Sequence, residues 1–307
     1  MLALLCSLTT SFCFPPASVI LPRVEPLSAD EIARAVAAAL AEDIGDGDVT
    51  TLAAVAEAAQ ARAVARAREP LVVAGLDFAE AAFRQLSPLV QCVRKAEDGQ
   101  RLSGGDVLLE VSGPARALLS AERVALNFLQ RLCGVATLTA QFVDAIKGTR
   151  AQILDTRKTT PGWRRFEKYA VSCGGGRNHR IGLFDLVLIK DNHLAALRDA
   201  QPNAIAAAVQ RARAAYSALK VEVEADTLEQ VDHAVAARAD FVLLDNMNLV
   251  QLRLAVQKCK DRALTEASGG VSLAGVRAIA DTGVDFISVG ALTHSARAVD
   301  IGLDFEL

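Results

Sequence analysis

From Gly148 to the C-terminus, short apolar runs alternate with longer stretches of helical period, and this rhythm constrains the fold more than any other feature. The runs lie at 152–154, 186–189, 220–223, 241–244, 264–267 and 286–289, and helices are predicted at 203–219, 228–237, 249–258 and 273–282. Runs this short and apolar read as strands buried on both faces. Alternation of strand and helix implies a parallel sheet with right-handed crossovers, and with this many units the sheet is expected to close into an α/β barrel. Each run ends in chemistry. Asp155, Arg157 and Lys158 follow the first, Lys190 the second, Glu224 the third and Asp245 the fourth; Ser268-Gly269-Gly270 ends the fifth and Gly290 the last. The C-terminal strand ends of such barrels form the active face, so residues far apart in sequence are predicted to meet at one mouth.

The stretch 155–193 gathers Arg157, Lys158, His179, Arg180 and Lys190 around a triple glycine with little acidic balance. Like charges placed together in a pocket need an anionic partner. Arg offers a planar fork for carboxylate or phosphate oxygens, and Lys a mobile point charge. Glu224 and Asp245, at equivalent strand ends, form a carboxylate pair suited to ribose hydroxyls, to a magnesium ion or to acid–base work. Ser268, Gly269, Gly270 and Gly290 are small enough for backbone amides to approach a phosphate, at the last two strands of the barrel. Together these groups describe a phosphorylated sugar, a divalent ion and an acidic co-substrate.

Upstream of Gly148 the pattern is less regular. Ser28 and Glu31 form a capping box that opens a helix running to about residue 42. The segment 42–51, with Asp43, Asp46 and Asp48, reads as a structural turn or a metal loop that lacks the closing Glu of a calcium site. Strands are expected at 63–68, 71–74, 90–93 and 107–111 with a helix at 77–86, an α+β sandwich. A helix over 115–132 carries Arg123, which by spacing alone is a solvated charge; a second helix is expected at 135–146 after a break at Cys133-Gly134. Residues 1–27 are apolar at the start, like the core of a signal segment, but lack an early basic residue and are interrupted by Pro15 and Pro16, so they read as a disordered or loosely held extension rather than a membrane span, with a targeting role as the alternative. The six cysteines show no metal-ligand spacing and read as reduced thiols in a cytoplasmic compartment; Cys173 reads as a small residue in a tight turn, with a nucleophilic role as the alternative. A net charge of −3 argues against nucleic acid as the main partner.

The motifs DTRKTTPG, CGGGRNHR, LIKDNH, VEVEADTLEQ, LLDN, SGG and VGALTH occur in the order found in the quinolinate phosphoribosyltransferase (nicotinate-nucleotide pyrophosphorylase) family. EDIGDGDVTT and AERVALNFLQRLCGVATLTA resemble its N-terminal half, so the resemblance runs from about residue 28 to 307. It implies an N-terminal α/β sandwich at 28–133, completed by the tail 291–307, beside an irregular α/β barrel at 134–290. It implies a homodimer in which Arg123 reaches the partner's active site. Arg157 and Arg180 would clamp the carboxylates of quinolinate, with His179, Lys190 and Arg123 completing the cationic pocket. Lys158 and Lys190 would contact phosphoribosyl pyrophosphate, Glu224 and Asp245 its ribose hydroxyls and magnesium, and Ser268, Gly269, Gly270 and Gly290 its phosphate. The implied reaction yields nicotinate mononucleotide, pyrophosphate and carbon dioxide. Thr160 and Trp163 stand where Leu is usual in this family, which concerns packing near the pocket. Three rival readings compete with it: a related phosphoribosyltransferase of the same fold, such as the paralogue associated with molybdate transport genes; a Schiff-base aldolase using Lys190; and a non-catalytic binding module.

Overall fold

A computed structural model describes residues 26–306 of the chain. The extension expected over 1–27, with Cys6 and Cys13, therefore lies outside the described residues except for Pro26 and Leu27. Those two are held: Pro26 O accepts from Arg165 Nη2 at 3.1 Å, and Leu27 packs on the core.

The N-terminal half begins with α1 (Ala29–Ile44), opened by the expected box in which Ser28 Oγ accepts from Glu31 N–H and Glu31 accepts from Ser28 N–H. Ile32, Val36 and Leu40 recur every fourth residue and bury one stripe. In the 42–51 segment Asp48 serves the structural reading: it caps a short helix, α2 (Val49–Ala54), accepting from Thr51 N–H at 3.0 Å and from Ser120 Oγ at 2.8 Å. Next come β1 (Gln60–Ala67), β2 (Leu71–Val72), α3 (Leu76–Leu86), β3 (Gln91–Arg94), β4 (Arg101–Leu102) and β5 (Val107–Pro114). A single helix, α4 (Ala115–Ala145), then runs through the break expected at Cys133-Gly134. Gly134 serves a different need: a Cβ there would collide with Arg297 O, so the glycine lets the tail cross the helix closely.

The C-terminal half contains β6 (Gln152–Leu154), α5 (Arg164–Cys173), β7 (Val187–Ile189), α6 (Asp191–Ala195), α7 (Ala204–Ala215), β8 (Val221–Ala225), α8 (Leu228–Ala236), β9 (Phe241–Asp245), α9 (Leu249–Cys259), β10 (Leu264–Ser268), α10 (Val276–Ala280), β11 (Phe286–Ser288), α11 (Ala291–His294) and β12 (Ile301–Glu306). The last strand returns to the first half and pairs with β1, giving an antiparallel sheet in the order β12-β1-β5-β3. Ala63, Ala65 and Ala67 face its core, while Arg62 and Arg66 face outward to Glu110, Glu306 and Asp304. β2 and β4 form a separate antiparallel pair. Among the described residues no helix is long and apolar enough to cross a membrane.

The other sheet is parallel throughout, ordered β6-β11-β10-β9-β8-β7. Residues 177–180 run outside β6, joined to it by a bridge between Leu154 and Arg177. In a flat sheet that segment would lie five strand spacings, roughly 24 Å, from β8. Instead His179 Nε2 is 3.0 Å from Glu222 Oε2 on β8. The sheet is therefore curled into a barrel, closed irregularly by the 177–180 segment. Side chains alternate between its two faces. Leu154, Phe241 and Phe286 plug the interior, while Ile153, Val223, Val242 and Ile287 join the outer core beneath the helices.

Candidate active site

The barrel mouth is built from the first residues after each strand. Register sets the heights: Ile189 is level with Val223, which brings Lys190 beside Glu224, and Asp245 is level with Ser268. Lys190 Nζ and the Glu224 carboxylate form an ion pair. Asp245 Oδ2 accepts from Asn246 Nδ2 at 2.7 Å. The two carboxylates thus stand at the ends of neighbouring strands.

Asp155 organises the cationic side. It is fully buried at the end of β6. Its Oδ1 takes the ammonium of Lys168, also fully buried, and the N–H of His179 at 2.9 Å; its Oδ2 takes Asn178 Nδ2 at 2.6 Å. Lys168 also donates to His179 O at 2.9 Å. The segment 178–180 is therefore held by both of its polar edges. Asp185 fixes the next two residues, accepting from the N–H groups of Ile181 and Gly182. The triple glycine is used for packing rather than for an anion, because a Cβ at Gly174 would collide with Ala136 O on α4.

Arg157 and Arg180 emerge from these anchors as neighbours. Arg180 is buried, and its guanidinium is held below the usual arginine range by burial first and then by the charge of Arg157. It donates to Leu186 O at 3.3 Å, but neither arginine forms an ion pair with a carboxylate of the described residues. Arg157 Nε is buried without a hydrogen-bond partner. A half-buried pair of guanidiniums with an orphaned donor is a site made for an anion with several oxygens.

Lys158 completes the ring on the far side. Its chain lies against Gly290, where an added Cβ would come 3.2 Å from Lys158 Cδ, and its carbonyl accepts from Thr293 Oγ1 at 2.7 Å. Beside it is the Ser268-Gly269-Gly270 turn. Gly269 has φ +98°, and a Cβ there would run into Asn246 Oδ1; Gly270 has φ +57° with open space around it. Gly269→Ala is accordingly expected to strain the turn by about 1–3 kcal/mol and lower the denaturant midpoint, with a smaller loss for Gly270→Ala. Equal losses at the two positions would mean that the approach of Asn246 is not what requires the glycine.

Two further predicted residues lie apart from the ring of cations at the mouth. His179 belongs to the cluster but turns its ring into the barrel, where both nitrogens are occupied: Nδ1 accepts from Arg180 N–H at 2.8 Å and Nε2 faces Glu222. It offers no free nitrogen to a ligand. Arg123 is exposed on α4 and has no ion pair with a described residue. Cys173 fits the small-residue reading, since burial, and then Asp98, push its thiol up to about 12. Sequence reasoning missed Asp155 and Lys168 as anchors, and it missed Glu222 and Glu266 inside the barrel. The VEVE run in β8 held the signal for Glu222, because strand alternation puts residues 222 and 224 on one face. A concavity of about 530 Å³ opens at the opposite end of the barrel, but two of its cations, Arg150 and Lys220, are neutralised by Asp285 and Asp240.

Known proteins share both the sequence and the fold. The family profile described as quinolinate phosphoribosyl transferase, C-terminal domain, matches residues 135–304, and the N-terminal domain profile matches residues 48–133. A carboxylating nicotinate-nucleotide pyrophosphorylase from Mycobacterium leprae is 46% identical over 272 residues, covering 87% of this chain and 94% of the relative. A probable enzyme of the same name from Bacillus subtilis is 43% identical over 268 residues, covering 87% and 90%. Among solved structures, the nicotinate-nucleotide pyrophosphorylase from Francisella tularensis superposes with a TM-score of 0.88 at 40% identity, covering 93% of this chain and 100% of that one.

Proposed function

The chain belongs to the quinolinate phosphoribosyltransferase family, and from that membership we propose that it transfers the phosphoribosyl group of phosphoribosyl pyrophosphate to quinolinate with loss of carbon dioxide. The other products are nicotinate mononucleotide and pyrophosphate, a step in de novo NAD biosynthesis. The observation that carries the reading is the adjacent pair Arg157 and Arg180, which forms no ion pair with a carboxylate of the described residues and has one donor orphaned among them.

Arg157 and Arg180 would grip the carboxylates of quinolinate, each fork matching two oxygens. That would hold the pyridine nitrogen toward the sugar. Lys158, lying against Gly290 and close to the Ser268-Gly269-Gly270 turn, would meet the diphosphate-bearing ribose. Lys190 would exchange its bond to Glu224 for substrate oxygens, freeing the carboxylate for ribose hydroxyls. Glu224 and Asp245 are oxygen donors at neighbouring strand ends, a set that suits a hard cation sharing its shell with water and phosphate; they would hold magnesium, which when bound neutralises charge on the pyrophosphate.

The nitrogen lone pair then forms the bond to the anomeric carbon as the bond to pyrophosphate breaks. Lys158 offsets the charge on the leaving oxygens. The ring nitrogen, now cationic, stabilises by its charge the electron pair that stays on the adjacent carbon when its carboxylate departs as carbon dioxide, and that pair then takes up a proton. In a steady-state assay with magnesium and phosphoribosyl pyrophosphate, quinolinate is expected to release carbon dioxide and pyrophosphate in equal amounts. Turnover of nicotinate but not quinolinate would overturn this reading.

The exposed, unpaired Arg123 supports a homodimer in which it enters the partner's barrel mouth. Arg123→Ala and Arg180→Ala, each strongly impaired alone at subsaturating quinolinate, are then expected to recover about a quarter of wild-type activity under those conditions after subunit exchange, since half the dimers are mixed and each holds one intact site. No recovery from a confirmed mixed dimer would place Arg123 outside the partner's site. The four described cysteines are all unpaired, which supports a reducing compartment such as the cytoplasm.

A further inference from the structure

Inside the barrel, below the mouth, His179 meets Glu222 of β8 and Glu266 of β10, each buried. Their ligating atoms all lie within 4.8 Å of one another, a spacing a divalent ion would use. The hydrogen bonds assign a different role. Nδ1 of His179 accepts from the N–H of Arg180 at 2.8 Å, so its lone pair is taken. The one proton of a neutral imidazole must then sit on Nε2, where a metal would need a lone pair. Nε2 instead points that proton at Glu222 Oε2, 3.0 Å away, with Glu266 Oε2 at 3.3 Å. Glu266 is fixed in turn by the hydroxyl of Ser288 on β11.

We propose that Glu222 and Glu266, acting through the His179 ring, are the positioning residues that set Arg180 at the mouth of the barrel. The inference rests on the reading of Arg180 as a carboxylate clamp. The chain of contacts is continuous. Ser288 orients Glu266, the carboxylate pair orients the imidazole, and the imidazole holds the backbone N–H of Arg180. Asp155 holds the preceding N–H, of His179, from the other side. The backbone that launches the Arg180 side chain is thus pinned at two consecutive amides by side chains from three strand-borne positions and the β6 end. Among the described residues the guanidinium itself has one acceptor, Leu186 O. Its direction is therefore set from behind, leaving its remaining donors for a ligand.

The charge of the pair fits this role. Two ionised carboxylates against one ring N–H in a dry interior would repel strongly, so the pair holds one proton between its members. Burial and then Glu266 push Glu222 up to about 7, while Glu266 alone of the two takes the hydroxyl of Ser288, a bond that favours its ionised form. Burial is outweighed by Glu266 and Glu222, which raise the imidazole well above its ordinary value, but a second proton would have to sit on Nδ1, where the N–H of Arg180 already points, so the geometry keeps the ring neutral and leaves that proton on the carboxylate pair. Glu222 is then the neutral acid and Glu266 the anion.

The test uses Glu222→Gln and the double variant Glu222→Gln/Glu266→Gln in the full-length enzyme. The amide in the single variant keeps an oxygen for the ring N–H of His179, so its KM for quinolinate is expected to rise less than that of the double variant. The double variant removes the anion that orients the ring. It is expected to raise KM for quinolinate roughly tenfold to a hundredfold, with KM for phosphoribosyl pyrophosphate little changed. In an Arg180→Ala background the same double substitution is expected to add almost nothing, because the effect passes through Arg180. An equal rise in that background, or equal rises for both substrates, overturns the positioning role. If Arg180→Ala alone leaves quinolinate KM unchanged, the clamp reading fails instead. Should the double variant fail to fold, nitrogen NMR of His179 in the wild-type enzyme decides: a proton on Nε2 with Nδ1 bare is expected, and a proton on Nδ1 overturns the contact.

Discussion

Arg180→Ala is expected to lower kcat/KM for quinolinate by roughly a hundredfold to a thousandfold, about 3–4 kcal/mol, the loss typical when one partner of a desolvated charge pair is removed. A change confined to KM for quinolinate would place Arg180 on the carboxylate that is retained, which is held equally in ground and transition states, and a matching fall in kcat would place it on the one that departs. Arg180→Lys keeps the charge without the planar fork and should recover only part of the loss. The unliganded protein should respond in the opposite sense. Arg180 is buried next to Arg157, and burial and that neighbour both disfavour its charge. Removing it relieves the repulsion, so the melting temperature without ligand is expected to hold or rise while activity falls. A dicarboxylate ligand should then raise the melting temperature of the wild type by more than that of the variant. Unchanged turnover by Arg180→Ala, or a fall in stability matching the fall in activity, would show that the arginine serves the fold and not a ligand.

The parts of this architecture that were legible in the sequence are those written in short-range pattern. All six apolar runs after Gly148 became strands, because a strand buried on both faces has no way to hide its composition. Their polar endings then located the mouth. What failed to show was what depends on distant partners. Helix α5 was not predicted, since two of its buried residues are Glu167 and Lys168, which pattern reading assigns to solvent. They tolerate burial only because Arg131 meets one and Asp155 the other, from other elements. The break expected at Gly134 failed for the same reason: the residue that explains the glycine, Arg297, lies at the far end of the chain. Likewise, the helix expected at 273–282 shortened to α10, and 49–54 turned helical behind an Asp48 cap. His179 was named for its charge, whereas its surroundings make it a hydrogen-bonded link between the barrel core and Arg180.

Lys168→Met is expected to destabilise the protein by about 3–5 kcal/mol, because it strands the Asp155 carboxylate without its cation in a site that excludes water. For a chain of this size that corresponds to a melting temperature lower by roughly 5–8 °C. Both members of the pair are fully buried, and burial drives each toward its neutral form, raising Asp155 and lowering Lys168, while their mutual attraction works the other way. The pair is thus a poor source of net stability, and removing both charges should hurt less than removing one. Asp155→Asn/Lys168→Met is expected to be more stable than Lys168→Met alone, although Asn178 and the His179 amide lose a charged acceptor. Strict additivity of the two single losses would refute that coupling. The double variant should nevertheless remain impaired toward quinolinate, since the Lys168 bond to His179 O is lost and the 178–180 segment is held less firmly. Recovery of stability without recovery of activity would separate the two roles of the pair: it adds little to the folding free energy, and its retention follows from where it sets the backbone of Arg180.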